Sequence, residues 1–440
     1  MFRKKSVTEK MKNVINDYES GEIRDFNKKY HDINKLIEKF ISETGGILYG
    51  GLALNLILPP SKQFYSKDNA KPDYDYLSVN PKNDAIKLCN LIYNKTKSKD
   101  LMVKDAMHEG TYKIFLDGHG FVDITQISSH LYNRYKELKL EKAGKKLSLV
   151  PQAFIKYSLH NEMCKPLSSL GRWEKIYERL KLFYSENLIS QDSLIRKIEK
   201  INFKKYINNC NDPKVIKLLE FLLADNYFNK FPIIGIYGFL KYFKNVNNKY
   251  EELFKTLNKK LTKFNILNDE NEEAYLSIIS SEGSKTANTL AQNLKNYIKN
   301  SSSLKNDNFT VFVHEQIVSD RKRYIIVLNT NKKFVNLLSV YETETCLTTK
   351  KMGTHIIGSV DTLISMQYLA ILYYYSTSNN KLYYLFCEIL NFLIMKNDSN
   401  INRKFSIKCY GKELTLSQLK AQSLKKKKFK YVPSEKKNIK

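Results

Sequence analysis

The stretch KPDYDYLSVN, residues 71–80, sets Asp73 and Asp75 one tyrosine apart inside an apolar, aromatic run. Acidic residues are poor strand formers. Side chains alternate along a strand, so both carboxylates would point to one face, ~6.5–7 Å apart, with Tyr74 and Tyr76 on the other. Two carboxylates that close repel each other unless a cation sits between them. A fold that devotes a buried strand to them must open that acidic face onto positive charge. Hard oxygen ligands converging from one side suit Mg²⁺ or Mn²⁺, which keep waters and are completed by substrate phosphates.

Two further stretches extend the pattern. Asp123 lies in GFVDITQIS, again an acid in an apolar strand. If its strand neighbours the first, it supplies a third carboxylate. Three carboxylates can hold two metals ~3.5–4 Å apart, one activating an attacking hydroxyl and the other steadying a leaving pyrophosphate. Upstream, in YGGLALN, Gly50 and Gly51 lack side chains, so backbone N–H groups can approach a phosphate closely. The helix that opens after them directs its positive end to the same place. Alone, a DxD among 45 acidic residues or a glycine pair says little. Glycine pair, helix, paired acids on a strand, hairpin and lone acid on a strand, in that order, meet the needs of nucleotidyl transfer.

The rest of the chain sorts by periodicity. Residues 1–44 read as helices, with Ile33, Leu36, Ile37, Phe40 and Ile41 at helical spacing. Residues 45–130 read as a small mixed α/β unit. It contains a strand in GGILYGG, a helix in LALNLIL stopped by Pro59 and Pro60, and a helix over 81–96 with proline at its start. TYKIFLD and FVDITQIS form a hairpin around Gly118-His119-Gly120. From about 150 to 300 the pattern is helical, including DSLIRKIEKINFKKYI, and the apolar piece 231–243 fits a buried helix. KNSSSLKNDN, 299–308, reads as a linker. Strands over 309–343 and helices in VDTLISMQYLAILYYY and KLYYLFCEILNFLIM predict a second α/β domain. The tail SLKKKKFKYVPSEKKNIK reads as disordered. The expected divisions are 1–44, 45–185, 186–300, 301–420 and 421–440.

Charge and cysteines narrow the class. A net charge of +28, from 73 basic and 45 acidic residues, favours a polyanionic partner such as nucleic acid. Part of that excess can record base composition, since Lys, Asn, Ile and Tyr have AT-rich codons. The six cysteines are scattered without a CxxC, which predicts buried, reduced thiols in a cytosolic compartment. MFRKKSVTEK lacks the apolar core of a signal peptide. No stretch approaches the ~18 apolar residues of a membrane span. His108, His119, His130 and His160 form no ligand cluster, and no Ser-His-Asp or Cys-His motif is present.

YGGLALNLIL, PDYDYLSV, GFVDIT and SSLGRWEKIYERLKLF together carry a resemblance. The segment resembles the nucleotidyltransferase superfamily of DNA polymerase beta, whose pattern is a glycine pair, Dh[DE]h and a later hDh. More narrowly it resembles the poly(A) polymerase catalytic subunits of large cytoplasmic DNA viruses, mimivirus-like ones above all, over about 45–185. The resemblance implies an α+β fold: a polymerase-beta-like palm, helical regions and a second α/β domain that in such enzymes can be a degenerate copy of the first. Residues 309–343 are compatible with that copy and hold no DxD.

It also implies Asp73, Asp75 and Asp123 as catalytic, metal-binding triad for Mg²⁺ or Mn²⁺, and Gly50 and Gly51 as the triphosphate-binding pair. Lys156 and Tyr157 stand about where the superfamily grips triphosphate and base; an ordinary lysine beside a core tyrosine fits equally. Trp173, with Tyr177 and Leu180, reads as core, and Arg172 and Lys175 as a solvated face. One departure is the 21 residues between Gly51 and Asp73, about twice the usual gap, which makes SKQFYSKDNAKP an insertion. The implied activity is template-independent addition of AMP from ATP to RNA 3′ ends. Nothing in the residues selects adenine, so uridylyl, CCA-adding or oligonucleotide-forming activity stays open. An inactive RNA-binding subunit also stays open, against the intact triad. The implied partners are single-stranded RNA, ATP, and a second copy or a separate processivity protein, with no membrane. The implied location is the host cytoplasm (viral factory), or packaging in the virion.

Overall fold

The computed structural model describes residues 7–65, 73–106, 110–137, 142–143, 147–185, 213–244, 274, 276–318, 321–330, 334–376, 390, 405–411, 415–418, 421 and 429–433. Chain contacts divide it into two compact units: Met1–Ile155 with Ser417–Lys440, and Lys156–Leu416. The expected helices of DSLIRKIEKINFKKYI and KLYYLFCEILNFLIM, most of the 61–72 insertion and most of the tail lie outside the described residues.

The first unit is built on one eight-stranded sheet. Its strands are β1 (Ile47–Leu48), β2 (Tyr74–Ser78), β3 (Leu101–Asp105), β4 (Thr111–Leu116), β5 (His119–Gln126), β6 (Lys142–Ala143), β7 (Leu147–Leu149) and a strand from the tail, Lys430–Tyr431. Across the sheet the order is tail strand, β3, β4, β5, β2, β1, β7, β6. Helix His31–Thr44 buries Ile33, Ile37, Phe40 and Ile41 at helical spacing and ends at Gly45, whose φ of 72° lets its N–H reach back to the Ile41 carbonyl. Helix Pro81–Thr96 starts on its proline and buries Ala85, Leu88, Cys89 and Ile92. Both follow the sequence pattern.

The hairpin differs in detail from the expectation. The turn is Asp117-Gly118, with φ of 51° and 77°, and Leu116 pairs directly with His119. Two consecutive positive φ angles match the twist of the flanking strands, which favours Asp-Gly. Further along, the register slips between Ile114 and Phe115, which leaves Phe121 as an extra residue on β5. Phe121 is buried against Phe26 of helix Val7–Lys29 and against Tyr30, the residue that follows it.

The tail is not wholly unstructured. Lys430 and Tyr431 pair antiparallel with Lys104 and Val103, the Phe429 N–H donates to the Asp105 carboxylate, and Tyr431 Oη donates to Asn90. This added strand covers the exposed edge of β3.

The second unit contains β8 (Ile233–Ile234), β9 (Leu276–Ser280), β10 (Thr310–Val318), β11 (Arg321–Asn329), β12 (Phe334–Glu342), β13 (Leu347–Met352), β14 (His355–Gly358) and β15 (Cys409–Tyr410). With the tail strand, β16 (Lys430–Tyr431), the chain has sixteen described strands. The spatial order is β10-β11-β12-β9-β8-β14-β13-β15. Seven of these strands, β10 to β13 in that spatial order, repeat β3 to β6 of the first sheet, while β15 and the tail strand have no counterparts. β8 is antiparallel to β9 and parallel to β14, as β1 is to β2 and β7. β9 is parallel to β12, which is followed antiparallel by β11 and β10, as β2 is to β5, β4 and β3. Helix Gly283–Asn300 occupies the place of Pro81–Thr96. The second α/β domain is therefore a topological copy of the first.

Two expectations need correction. Residues 299–308 do not link domains: they cap helix Gly283–Asn300 inside the second unit and bury Leu304 in its core. The cysteines are not all reduced, because Cys346 and Cys409 form a disulfide with Cα atoms 5.3 Å apart. The antiparallel pairing of β15 with β13 brings these two together across 63 residues of sequence, which spacing alone cannot reveal. Cys89 and Cys164 are free and buried, as expected, and burial pushes both thiols up to about 12. Among the described residues, no helix is long and apolar enough to cross a membrane.

The hairpin turn offers a test. The Asp117 carboxylate accepts from Tyr30 Oη at 2.6 Å, Lys29 Nζ at 3.0 Å and Ser98 Oγ at 3.0 Å. These bonds, Tyr30's first, hold its pKa below the usual carboxylate value against the opposing effect of desolvation. Asp117→Asn keeps a residue that tolerates positive φ but removes the charge. It should cost about 1 kcal/mol at pH 7, the low end for bonds to a charged group because the site is partly solvated. The folded pKa is depressed, so the stabilisation is full above the unfolded value of ~3.9 and fades as pH falls through the folded value. Thermal melts of both proteins should differ at pH 7 and converge as the pH is taken below the depressed folded pKa of Asp117. A gap that persisted at low pH would mean the charge is not responsible.

Candidate active site

β2 and β5 lie side by side and parallel, with Asp75 directly opposite Asp123. Side chains of paired residues on parallel neighbours share a face, so the second and third acids of the sequence pattern meet. Asp73 stands on the approach to β2, two residues before Asp75 and exposed, whereas Asp75 and Asp123 are half-buried. Tyr74 and Tyr76 point the other way into the core, 2% and 0% exposed, and Tyr74 Oη donates to Glu38. The alternation read from KPDYDYLSVN holds.

Gly50 closes the site from the β1 side. The Tyr49 N–H donates to the Asp75 carbonyl at 2.9 Å, and helix Gly50–Ile57 begins immediately after. Gly50 has φ +70°, and a Cβ there would stand 2.4 Å from Asp75 Oδ2. Glycine is required twice over: for the backbone angle and for the carboxylate that lies against it. Gly51 takes the next helical position. Asn55, buried on the same helix, accepts from the N–H groups of Phe64 and Tyr65 and so fixes the start of the insertion.

Two residues join the site that the sequence reading did not single out. Lys113 on β4 pairs across from Asp123, and its Nζ is 3.0 Å from Asp123 Oδ2. Burial opposes the Lys113 charge, but attraction from Asp123, and then from Asp73 and Asp75, outweighs it and raises the pKa. Tyr49 shares a 2.8 Å hydrogen bond with Thr125. Its phenol is pushed well up by burial, then by Asp75, against the opposing Thr125 bond and with smaller contributions from Asp123 and Asp73. Both residues lie within the electrostatic reach of all three carboxylates. A lone lysine in the otherwise apolar TYKIFL was the available signal for Lys113.

Lys156 and Tyr157 are on helix Gln152–Met163, where the second unit begins. Lys156 is buried, with Nζ 5.6 Å and 5.9 Å from the ring centres of Phe183 and Tyr368. Trp173 donates to the Glu162 carbonyl and packs on Phe405, which accords with packing, and Arg172 pairs with Glu162. His160 is buried between Asp361 and Tyr184, and His119 packs edge-on against Phe26.

The donor set can be tested for metal. Among the described residues, no group of three His, Cys, Asp or Glu side chains is arranged as it stands to hold one. Yet Asp123 Oδ1 is buried and has no hydrogen-bond partner. An orphaned buried carboxylate oxygen is costly unless something absent from the protein satisfies it. Acceptor-only oxygens converging from two adjacent strands fit a hard divalent cation.

A strand pair bearing acids, a glycine-opened helix beside it and this sheet order define a nucleotidyltransferase fold. Residues 35–169 match the model of the poly(A) polymerase catalytic subunit family; such enzymes in general use a nucleotide substrate and a divalent metal. A protein of Acanthamoeba polyphaga mimivirus, whose own assignment as a poly(A) polymerase catalytic subunit is inferred, is 27% identical over 277 residues, 59% of this chain. The match covers 44% of that protein, so this chain aligns to less than half the length of that relative. A protein of African swine fever virus with the same inferred assignment is 26% identical over 147 residues, 33% of this chain and 30% of its own. The crystal structure of the Megavirus polyadenylate synthase superposes with a TM-score of 0.72, covering 98% of this chain and 87% of the other at 18% identity. That likeness establishes the fold.

Gly50→Ala should destabilise the chain by about 1–2 kcal/mol from the left-handed backbone angle alone, with more from the overlap with Asp75. In an Asp75→Ala background the overlap disappears, and the same substitution should cost about 1 kcal/mol less. Denaturant melts of the four proteins measure this. Equal costs in both backgrounds would show that the carboxylate does not lie against Gly50.

Proposed function

We propose that this chain is a template-independent poly(A) polymerase that adds AMP from ATP to the 3′ end of single-stranded RNA. The observation that carries the reading is the register of β2 on β5, which sets Asp75 beside Asp123 within the segment that matches the family. Asp73, Asp75 and Asp123 are assigned as the residues that would hold Mg²⁺ or Mn²⁺. Bound there, the cations supply activation of the RNA 3′-hydroxyl and neutralisation of the departing pyrophosphate.

The chain's own groups do the positioning. Backbone N–H groups at Gly50 and Gly51, at the positive end of their helix, donate to the triphosphate without interference from side chains. Asp75, pinned by its contact with Gly50, keeps a fixed place relative to those donors. The surplus of basic residues over acidic ones, 73 against 45, supports RNA as acceptor through its phosphates. Lys156 and Tyr157 are assigned to the triphosphate and base as the second-ranking part of this reading. A second copy of the chain, or a separate processivity protein, belongs to it as partner, and the infected cell's cytoplasm as place of action.

The test is extension of a labelled single-stranded RNA with Mg²⁺ or Mn²⁺, each nucleoside triphosphate offered separately. ATP alone should give a long ladder, and the Asp73→Ala/Asp75→Ala protein should lose about a thousandfold or more of the rate. Extension with UTP or CTP instead would keep the chemistry and discard adenine. Tight RNA binding without any extension would replace the enzyme by a binding subunit.

A further inference from the structure

The register of the first sheet lines up one row of side chains across its strands. Asp75 on β2 pairs with Asp123 on β5, Asp123 with Lys113 on β4, Lys113 with Lys104 on β3, and Lys104 with Lys430 on β16. Directly paired residues share a face, so from mid-sheet to edge the row reads acid, acid, lysine, lysine, lysine. With strands ~4.8 Å apart, Lys430 stands ~14 Å from Asp123. The opposite face is given to packing. Val103 and Ile114 are buried there, and Phe429 and Tyr431, which flank Lys430, meet Lys82 and Asn90 of helix Pro81–Thr96. On the face with the acids Lys430 is exposed and Lys104 half-buried, its ammonium 5.6 Å from the centre of the Phe115 ring. Among the described residues neither Lys104 nor Lys430 forms an ion pair.

Like charges directly opposite one another destabilise a sheet, and the frame does not call for them. In the second unit the equivalent row is Ser277, Ser339, Ile325 and His314. A polyanion lying along the row offsets the repulsion. We propose that Lys104 and Lys430 bind the backbone phosphates of the acceptor RNA, which crosses the sheet over the tail strand, β3 and β4 before its 3′ end reaches the carboxylates. This assignment rests on the polymerase reading. Placement separates the two polyanions that such a reaction brings together. Gly50 and Gly51 lie on the β1 side of Asp75, so the triphosphate is on one side of the acids and the lysine row on the other. An attacking hydroxyl and a departing pyrophosphate stand in line across the reacting phosphorus. The lysine side is therefore the acceptor's. Contacts from lysine to phosphate carry no base preference, so the track takes any 3′ sequence, and the tail strand supplies its outermost charge.

The experiment is fluorescence anisotropy of a short labelled single-stranded RNA of mixed sequence with the full chain, over a salt series. Wild type is compared with Lys104→Gln, Lys430→Gln, the double variant and Lys39→Gln. Lys39 is exposed on helix His31–Thr44, which meets the opposite face of the sheet through Tyr74, and controls for the loss of a positive charge anywhere. Each row substitution should weaken binding about threefold and the pair about tenfold, with log Kd flattening against log salt by about 0.7 per lysine removed. Lys39→Gln should bind as wild type does. In extension assays the KM for RNA should rise in parallel, and the KM for ATP should not. A raised KM for ATP with RNA affinity intact would give the row to the triphosphate and overturn the acceptor track. An equal loss in Lys39→Gln would reduce it to diffuse attraction and overturn it as well. Normal RNA binding and extension by the double variant would sink the track and leave the polymerase reading standing. Absence of RNA binding and extension in wild type would remove both.

Discussion

Everything in the first unit turns on one register: β2 and β5 run parallel with Asp75 against Asp123. Slipping the pair by one residue would turn one of the two acids into the core and bring a tyrosine or valine to the open face. The apolar residues alternating with the acids prevent that. Tyr74, Tyr76, Val122 and Ile124 are 2% exposed or less, and their burial at ~25 cal/mol/Å² far exceeds the repulsion between two partly solvated carboxylates. Hydrophobic alternation therefore forces together two groups that would separate if free.

The second unit shows the same frame without that constraint. Gly235, at φ +65°, opens its helix as Gly50 does, and the residue lying against it is Ser277, where the first unit has Asp75. Ser277 pairs in parallel with Ser339, as Asp75 does with Asp123. The position opposite Ser339 on β11 is Ile325, where the first unit has Lys113. Acids and counter-charge have been exchanged together for small polar and apolar residues. Ser339 is fully buried. At these positions the copy keeps the packing and gives up the charges.

How far the sequence disclosed this follows from the range of each signal. Alternation and helical spacing act over a few residues, so the acid strand, the glycine-opened helix and helix Pro81–Thr96 were legible. Asp123 could be named as an acid in an apolar strand, but its meeting with Asp75 depends on sheet order. Lys113 was missed because the turn begins at Asp117 and because Phe121 is an extra residue; simple hairpin counting pairs the lysine with Val122. The disulfide and the docked tail were illegible for a related reason. Each is a strand pairing between distant segments, and nothing local in Cys409 or in the lysine-rich stretch before Phe429 marks its partner.

The tail strand has a consequence for the order in which the molecule is made. β3 is synthesised early, yet β16, the strand that covers it, follows all of residues 156–416 in the chain. While the ribosome is still completing the second sheet, the first one stands with a free row of backbone donors and acceptors. Its nascent form is thus an open template, and lysine at position 104 with aspartate at 105 offers the modest charge that discourages a stray strand from joining. The unit that starts first is the one that finishes last.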